Sequence, residues 1–156
     1  MGILGPMEAI LFVGIPASGK STFYKEHFFT KQVRINLDML KIRKRESLIL
    51  QACLVAKQPF VVDNTNVLKS ERAQYIEQAR AVGFRVVGYY FQSRLQDALE
   101  RNSQRTGKAN IPEKGLIARH SQLQIPSLDE GFDQLFYVMI DPASKAFVVK
   151  EWKDEI

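Results

Sequence analysis

Two rhythms of hydrophobic and polar positions alternate along the chain. Short apolar runs end in Gly, Asn or Asp. Longer stretches between them carry apolar residues at helical spacing. Glu8-Ala9-Ile10-Leu11-Phe12-Val13 is an unbroken run of the kind that fills a buried parallel strand. Gln32-Val33-Arg34-Ile35-Asn36 alternates as a second strand. Pro59-Phe60-Val61-Val62-Asp63-Asn64-Thr65-Asn66 reads as a third that ends in polar residues, and Phe84–Phe91 as a fourth. Gln134–Ile140 reads as a fifth, and Ala146–Trp152 is expected to pair with it antiparallel after the Asp141-Pro142 turn. Helical spacing predicts a helix with an aromatic face over Thr22–Phe29 and a mostly apolar, buried helix over Ser47–Ala56. Further helices are predicted over Lys69–Val82, stopped by Gly83, over Leu95–Arg105, and over Pro112–Leu123 with Pro at the first helical position. Strands alternating with helices predict an α/β domain with a mostly parallel sheet of about five strands. Cys53, Tyr89, Tyr90, Phe91 and Trp152 fall at packing positions, and the lone histidines His27 and His120 read as structural or surface residues.

One polar interruption carries chemistry. Gly14-Ile15-Pro16-Ala17-Ser18-Gly19-Lys20-Ser21-Thr22 fits G-x-x-x-x-G-K-[ST], between the first strand and the first helix. Gly14 and Gly19 let backbone N–H groups reach phosphate oxygens with no Cβ in the way, with Ala17, Ser18 and Thr22 completing the cradle. Lys20 supplies a mobile positive charge, Ser21 offers a hydroxyl to Mg²⁺, and the helix start faces the same anion. This pattern predicts an ATP-type triphosphate site.

Other candidates follow strand ends, where open α/β sheets bind ligands. Asp38 lies just past the second strand, and either chemistry or helix capping by Asn36 and Asp38 suits that place. Asp63 ends the third strand either in the arrangement that orients Mg²⁺ or in an Asx-turn leading into the next helix. Thr65 and Asn66 would hold an acceptor or the loop itself. Lys41, Arg43, Lys44 and Arg45 form either a solvated helix start or a phosphate-facing patch. Arg101 and Arg105 share one helix face ahead of Thr106-Gly107-Lys108-Ala109-Asn110-Ile111-Pro112, which reads as a lid carrying cations.

Composition changes this picture little. The chain has 156 residues, 46% hydrophobic and 25% charged, as in an ordinary globular domain. Residues 1–7 read as an extension or tag ahead of a single domain over 8–156. No membrane-length apolar run, no signal-peptide pattern and a single cysteine lead to the expectation of a cytoplasmic protein. The net charge of +5 suits a polyanionic partner.

Taken together, the phosphate loop, Ile35-Asn36-Leu37-Asp38, Val62-Asp63-Asn64-Thr65-Asn66, Arg101-Asn102-Ser103-Gln104-Arg105 and Leu128-Asp129-Glu130-Gly131-Phe132 resemble the 5′-kinase domain of polynucleotide kinases, within the P-loop kinase superfamily. The resemblance implies the three-layer P-loop NTPase fold of nucleoside-kinase type, with a mobile lid. It implies ATP and Mg²⁺ as cofactors and a 5′-hydroxyl on a single-stranded or end-frayed nucleic acid as acceptor. On this resemblance Asp38 is the general base, Lys20 and Ser21 hold the β- and γ-phosphates and Mg²⁺, Arg105 meets the transferring phosphoryl group and Arg101 lies near the nucleotide. Lys41 falls where the family has an arginine on the acceptor's 3′-phosphate; lysine keeps the charge but loses the fork. The segment between Asp38 and Asp63 is short for an acceptor channel, and no Asp-x-Asp-x-Thr phosphatase motif appears. A kinase of a small metabolite or nucleoside, and a non-catalytic ATP-binding protein, are the alternatives.

Overall fold

Alternate residues of the first strand, β1 (Glu8–Val13), feed two separate cores, one on each face of a sheet. This computed structural model describes residues 7–152, so residues 1–6 of the expected extension lie outside the described residues. After β1 come α1 (Lys20–His27), β2 (Val33–Ile35), α2 (Leu37–Leu40), α3 (Arg43–Ala56), β3 (Phe60–Val62), α4 (Lys69–Ala81), β4 (Arg85–Phe91), α5 (Leu95–Ser103), α6 (Glu113–Gln122), β5 (Gln134–Ile140) and β6 (Phe147–Glu151). Short 3-10 turns span Gly107–Ala109 and Leu128–Glu130.

The strands form one sheet in the order β2-β3-β1-β4-β5-β6, parallel throughout except that β6 runs antiparallel to β5. Ile10, Phe12, Val61 and Val87 face α1, where Phe23, Tyr24 and Phe91 complete an aromatic core. Ala9, Leu11, Ile35, Phe60 and Val62 face the other way, against Leu50, Cys53 and Leu54 of α3 and Tyr75, Ile76 and Ala79 of α4. A third cluster, Ile15, Ala17, Val67, Ala98 and Leu116, seats α5 and α6 over the phosphate loop. No helix among the described residues is long and apolar enough to cross a membrane.

The sixth strand is β6, which pairs antiparallel with β5 as expected for Ala146–Trp152. Two other expectations need correction. The helix expected to be buried over Ser47–Ala56 is buried on one stripe only; Val55 is 81% exposed, and Leu48 and Ile49 face outward too. A helix lying on one face of a sheet has one stripe to bury, whatever the rest of its sequence. The helix expected to reach Arg105 stops at Ser103, where the Asn102 side chain turns to the lid base. Its Nδ2 donates to the Ile111 carbonyl (2.8 Å) and its Oδ1 accepts from the Ile111 amide (3.0 Å).

Arg72 of α4 is fully buried and ties the loop after β3 to the Leu128–Glu130 turn. It forks onto Glu130 (2.8 and 3.0 Å) and donates to the carbonyls of Asn66 (2.8 Å) and Val67 (3.1 Å). Removing one partner of such a pair strands the other without water. Arg72→Met is therefore expected to cost about 3 kcal/mol in urea unfolding; a loss within experimental error would mean that the pair contributes nothing net.

Candidate active site

The loop between β1 and α1 is built for close approach. A Cβ on Gly14 would sit 2.8 Å from Ser18 Oγ, and Gly19 takes φ 100° as the N-cap of α1, with the Phe147 ring 2.9 Å from where its Cβ would be. Ala17 also takes a left-handed φ, 64°, at a position glycine would favour. It is held there by Arg101, whose Nη1 donates to the Ala17 carbonyl (2.9 Å). Arg101 thus braces the loop and does not line the cavity in front of it. Lys20 is buried; its Nζ donates to the carbonyls of Gly14 and Ile15, both at 2.8 Å.

Across the cavity mouth, the polar tail of β3 supplies Asp63. The Ser21 hydroxyl donates to Asp63 Oδ2 (3.1 Å), so a hydroxyl and a carboxylate share one point beside the loop. Two hard oxygen donors next to a phosphate cradle fit Mg²⁺, which takes few protein ligands and completes its shell with water and phosphate. Among the described residues there is no cluster of three or more His, Cys, Asp or Glu able to hold a metal without such help.

Asp38 and Asn36 divide the two roles that sequence left open. Asn36 is the N-cap of α2: its Oδ1 accepts from the Met39 amide (2.9 Å), and its Nδ2 donates to the Asp63 carbonyl. Asp38 sits in the first turn, exposed, with no side-chain hydrogen bond or ion pair among the described residues. It lines the same cavity of about 580 Å³ as Lys20, Ser21, Asp63 and Arg105.

Of the remaining predicted residues, Thr65 lines the cavity and accepts from Arg119 Nη2 through its hydroxyl. Asn66 also borders it, but its buried amide donates to the Phe12 carbonyl (2.8 Å), which holds the loop to the end of β1. Lys41, with φ 78°, ends α2 and lies outside the cavity wall, as do Gly14, Ser18 and Thr22. Three arginines outside the predicted site join the wall: Arg34 of β2, Arg43 of α3 and Arg119 of α6. Arg43 was visible only as one member of a basic run. Arg34 was signalled by its place opposite to Ile35 in an alternating strand, and Arg119 only by lying three residues after the buried Leu116.

Comparison with known proteins gives the family and the fold. The model of the AAA_33 family, described as an AAA domain, matches residues 10–124. The chain belongs to that family. Its architecture is that of a P-loop kinase domain. The bifunctional polynucleotide phosphatase/kinase of Schizosaccharomyces pombe is 29% identical over 129 residues, 80% of this chain and 32% of that protein, so the AAA_33 chain spans about a third of the relative's length. Chaetomium thermophilum Kti12 in complex with ADP-AlF3 superposes with a TM-score of 0.62 at 17% identity, covering 86% of this chain and 92% of that one. A gluconokinase from Sinorhizobium meliloti gives 0.60 at 20% identity, covering 88% and 86%. Those two structures share the fold of the AAA_33 domain.

Electrostatics tune the cradle lysine of this AAA_33 domain. Burial pushes the Lys20 ammonium from its ordinary 10.5 down to about 8; Asp63 and Asp38 pull the other way, and Arg105 and Arg119 reinforce the fall. Burial and then Arg101 lower Arg105 as well. Between about 8 and 10.5 the unfolded chain still holds a lysine proton that the folded chain has released. Because the unfolded state binds more protons there, stability rises with pH through that window. Subtracting the urea-unfolding free energy of Lys20→Met from that of the wild type at each pH is expected to give a difference that climbs across this range. A flat difference would mean that burial does not depress Lys20.

Proposed function

We propose that this chain is a Mg²⁺- and ATP-dependent phosphotransferase whose acceptor is a 5′-hydroxyl at a nucleic-acid end. The observation that carries this reading is Asp38: an exposed carboxylate free of local hydrogen bonds, in one cavity with the phosphate cradle and Arg105. A nucleotide holder needs the cradle alone. A kinase needs, in addition, a base for the acceptor and cations for the moving charge.

In this mechanism the loop amides, Lys20 and the start of α1 hold the triphosphate. The Ser21 hydroxyl and the Asp63 carboxylate would hold Mg²⁺, which would supply charge neutralisation on the phosphates. An Asp38 oxygen accepts the proton of the 5′-hydroxyl as the hydroxyl oxygen itself attacks the γ-phosphorus. The bond to the β,γ-bridging oxygen breaks, and ADP leaves with the electron pair. Arg105, on the lid side, stabilises the negative charge of the transferring group and excludes water from it. Arg101 acts one step back, by fixing the Ala17 turn. Thr65, Arg43 and Arg119 face the acceptor. Lys41 would meet only nucleic acid that extends past the cavity entrance, and Asn66 keeps the loop in place.

The polynucleotide acceptor is supported by the identity to a polynucleotide phosphatase/kinase and by the arginines of the wall. The cavity volume also suits a small hydroxyl compound, which is the second reading. Incubation with γ-labelled ATP and either a 5′-hydroxyl oligonucleotide or a panel of sugars and nucleosides separates the two. Label on the oligonucleotide is the expected result; label only on a small acceptor would replace the first reading with the second.

Asp38→Ala is expected to lower kcat by roughly 10²–10⁴-fold while ATP affinity, measured by calorimetry, stays unchanged. Arg105→Ala should cost about 10²–10³-fold in kcat. Undiminished turnover in Asp38→Ala would remove that carboxylate from the mechanism.

A further inference from the structure

Arg34 occupies the place where the proposed metal would bind. It is the middle residue of a three-residue strand, and alternation points it toward α1 while Ile35 enters the core beneath α3. Its Nε donates to Asp63 Oδ2 (2.8 Å), and its Nη2 donates to Ser21 Oγ (3.0 Å). Ser21 Oγ in turn donates to the same Asp63 oxygen, which closes a triangle of three side chains. Behind the guanidinium stands the Tyr24 ring, 5.9 Å from the guanidinium carbon to the ring centre. The Tyr24 hydroxyl donates to the Gln32 carbonyl (2.6 Å), two residues ahead of Arg34, and so fixes that ring.

Two facts give this arrangement a consequence. Asp63 is 1% exposed at its side chain, so it needs a cation close by in place of water. Arg34 is 26% exposed, so it has an open side toward which it can move. A divalent ion bonded to Ser21 and Asp63 would share both oxygens with the guanidinium, and two cations in contact with one carboxylate oxygen repel each other. The ion and Arg34 therefore exclude one another.

We propose that Arg34 is the resident cation of the metal seat, and that a divalent ion enters only by displacing it. This rests on the assignment of Mg²⁺ to Ser21 and Asp63 made above. Displacement costs the guanidinium its carboxylate and its hydroxyl. A bound nucleotide brings new negative charge into the same cavity and compensates for that loss. Metal and nucleotide consequently strengthen each other's binding, and the coupling is reciprocal. The metal binds poorly alone and well with nucleotide, because the seat carries its own counter-ion.

The test is Mn²⁺ titration of the intact chain, read from the paramagnetic resonance signal of the free ion, with and without ADP. In the wild type, ADP should tighten Mn²⁺ binding strongly. Arg34→Met leaves the buried carboxylate with the Ser21 hydroxyl as its one side-chain hydrogen-bond donor among the described residues, and should tighten Mn²⁺ binding without ADP by at least about tenfold, the factor that a lost charge-assisted hydrogen bond corresponds to. The gain from adding ADP should shrink to match. Arg34→Lys, which keeps a cation but not the fork, should fall between the two and covers the case in which the methionine variant folds poorly. Adding Asp63→Asn to Arg34→Met should erase the gain. If Arg34→Met and Arg34→Lys bind Mn²⁺ no more tightly than the wild type, while Mn²⁺ with ADP still depends on Asp63, the inference is overturned and the proposed function stands. If Asp63→Asn leaves Mn²⁺ binding with ADP unchanged, the metal seat itself is misassigned, and the inference falls with it.

Discussion

Two backbone hydrogen bonds hold the site to the sheet. The Gly14 amide donates to the Thr65 carbonyl (2.9 Å), and the Asp63 amide donates to the Ile35 carbonyl (2.8 Å). They continue a parallel register that already sets Leu11 and Ile35 beside Val62, and so bring the carboxyl ends of β1, β2 and β3 to one level. The cradle springs from the first end, Arg34 and the Asp38 turn from the second, and Asp63 and Thr65 from the third. A slip of one residue between β2 and β3 would send Arg34 toward α3 and Ile35 toward α1, exchanging a charge for an apolar contact on both faces. Three asparagines reinforce the alignment. Asn36 bonds the Asp63 carbonyl, Asn64 the Leu37 amide and Asn66 the Phe12 carbonyl. An amide side chain suits such work because it donates and accepts at once.

The two carboxylates at those strand ends live in different solvents, and this separates what each can do. Asp63 has almost no water and is matched in this structure by Arg34 and Ser21. A buried carboxylate of this kind serves as a fixed anchor for cations. Asp38 faces water, needs no protein partner, and keeps its oxygens available for a hydroxyl group. The same contrast separates the basic residues. Lys20 is enclosed by its own loop carbonyls, while Arg43, Arg105 and Arg119 stand on the cavity wall.

Much of this was legible in sequence. Glycine spacing and flanking apolar runs reveal the cradle because a phosphate loop tolerates few residue types. Asp38, Asp63 and Thr65, which line the cavity, stand out by the rule that open α/β sheets bind ligands beyond their strand ends. Arg34 was written into an alternating strand, but a three-residue strand offers too little pattern to say what an odd polar residue meets. Arg119 lies far along the chain from Thr65, and only the packing of α6 on the cradle joins them. Lys41 and Arg43 show the limit most clearly. Both belong to one basic run, yet the φ of 78° at Lys41 ends α2 and sends the chain into α3, so that Arg43 and not Lys41 reaches the cavity. Composition does not disclose such a turn. Glu46 was hidden for a similar reason: nothing in its neighbourhood foretells a buried glutamate.

That glutamate explains how the proposed base, Asp38, can be held on so small a helix. α2 has 4 residues, far too few to persist by its own hydrogen bonds. Its first amide, that of Leu37, is held by Asn64 Oδ1 (2.8 Å). Asn64 is held in turn by Glu46, which accepts from the Asn64 amide (2.8 Å), from the Tyr75 hydroxyl (2.9 Å) and from Arg43 (2.7 Å). Tyr75 is anchored in the core of α4, and burial followed by the Glu46 charge pushes its hydroxyl up to about 12, so it stays a donor at any ordinary pH. The place of Asp38 is thus set from outside its own helix, through Asn64 and Glu46 to the buried face of α4. A carboxylate held in this way keeps its aim without spending its own oxygens on the hold, which is the condition that a proton acceptor has to meet.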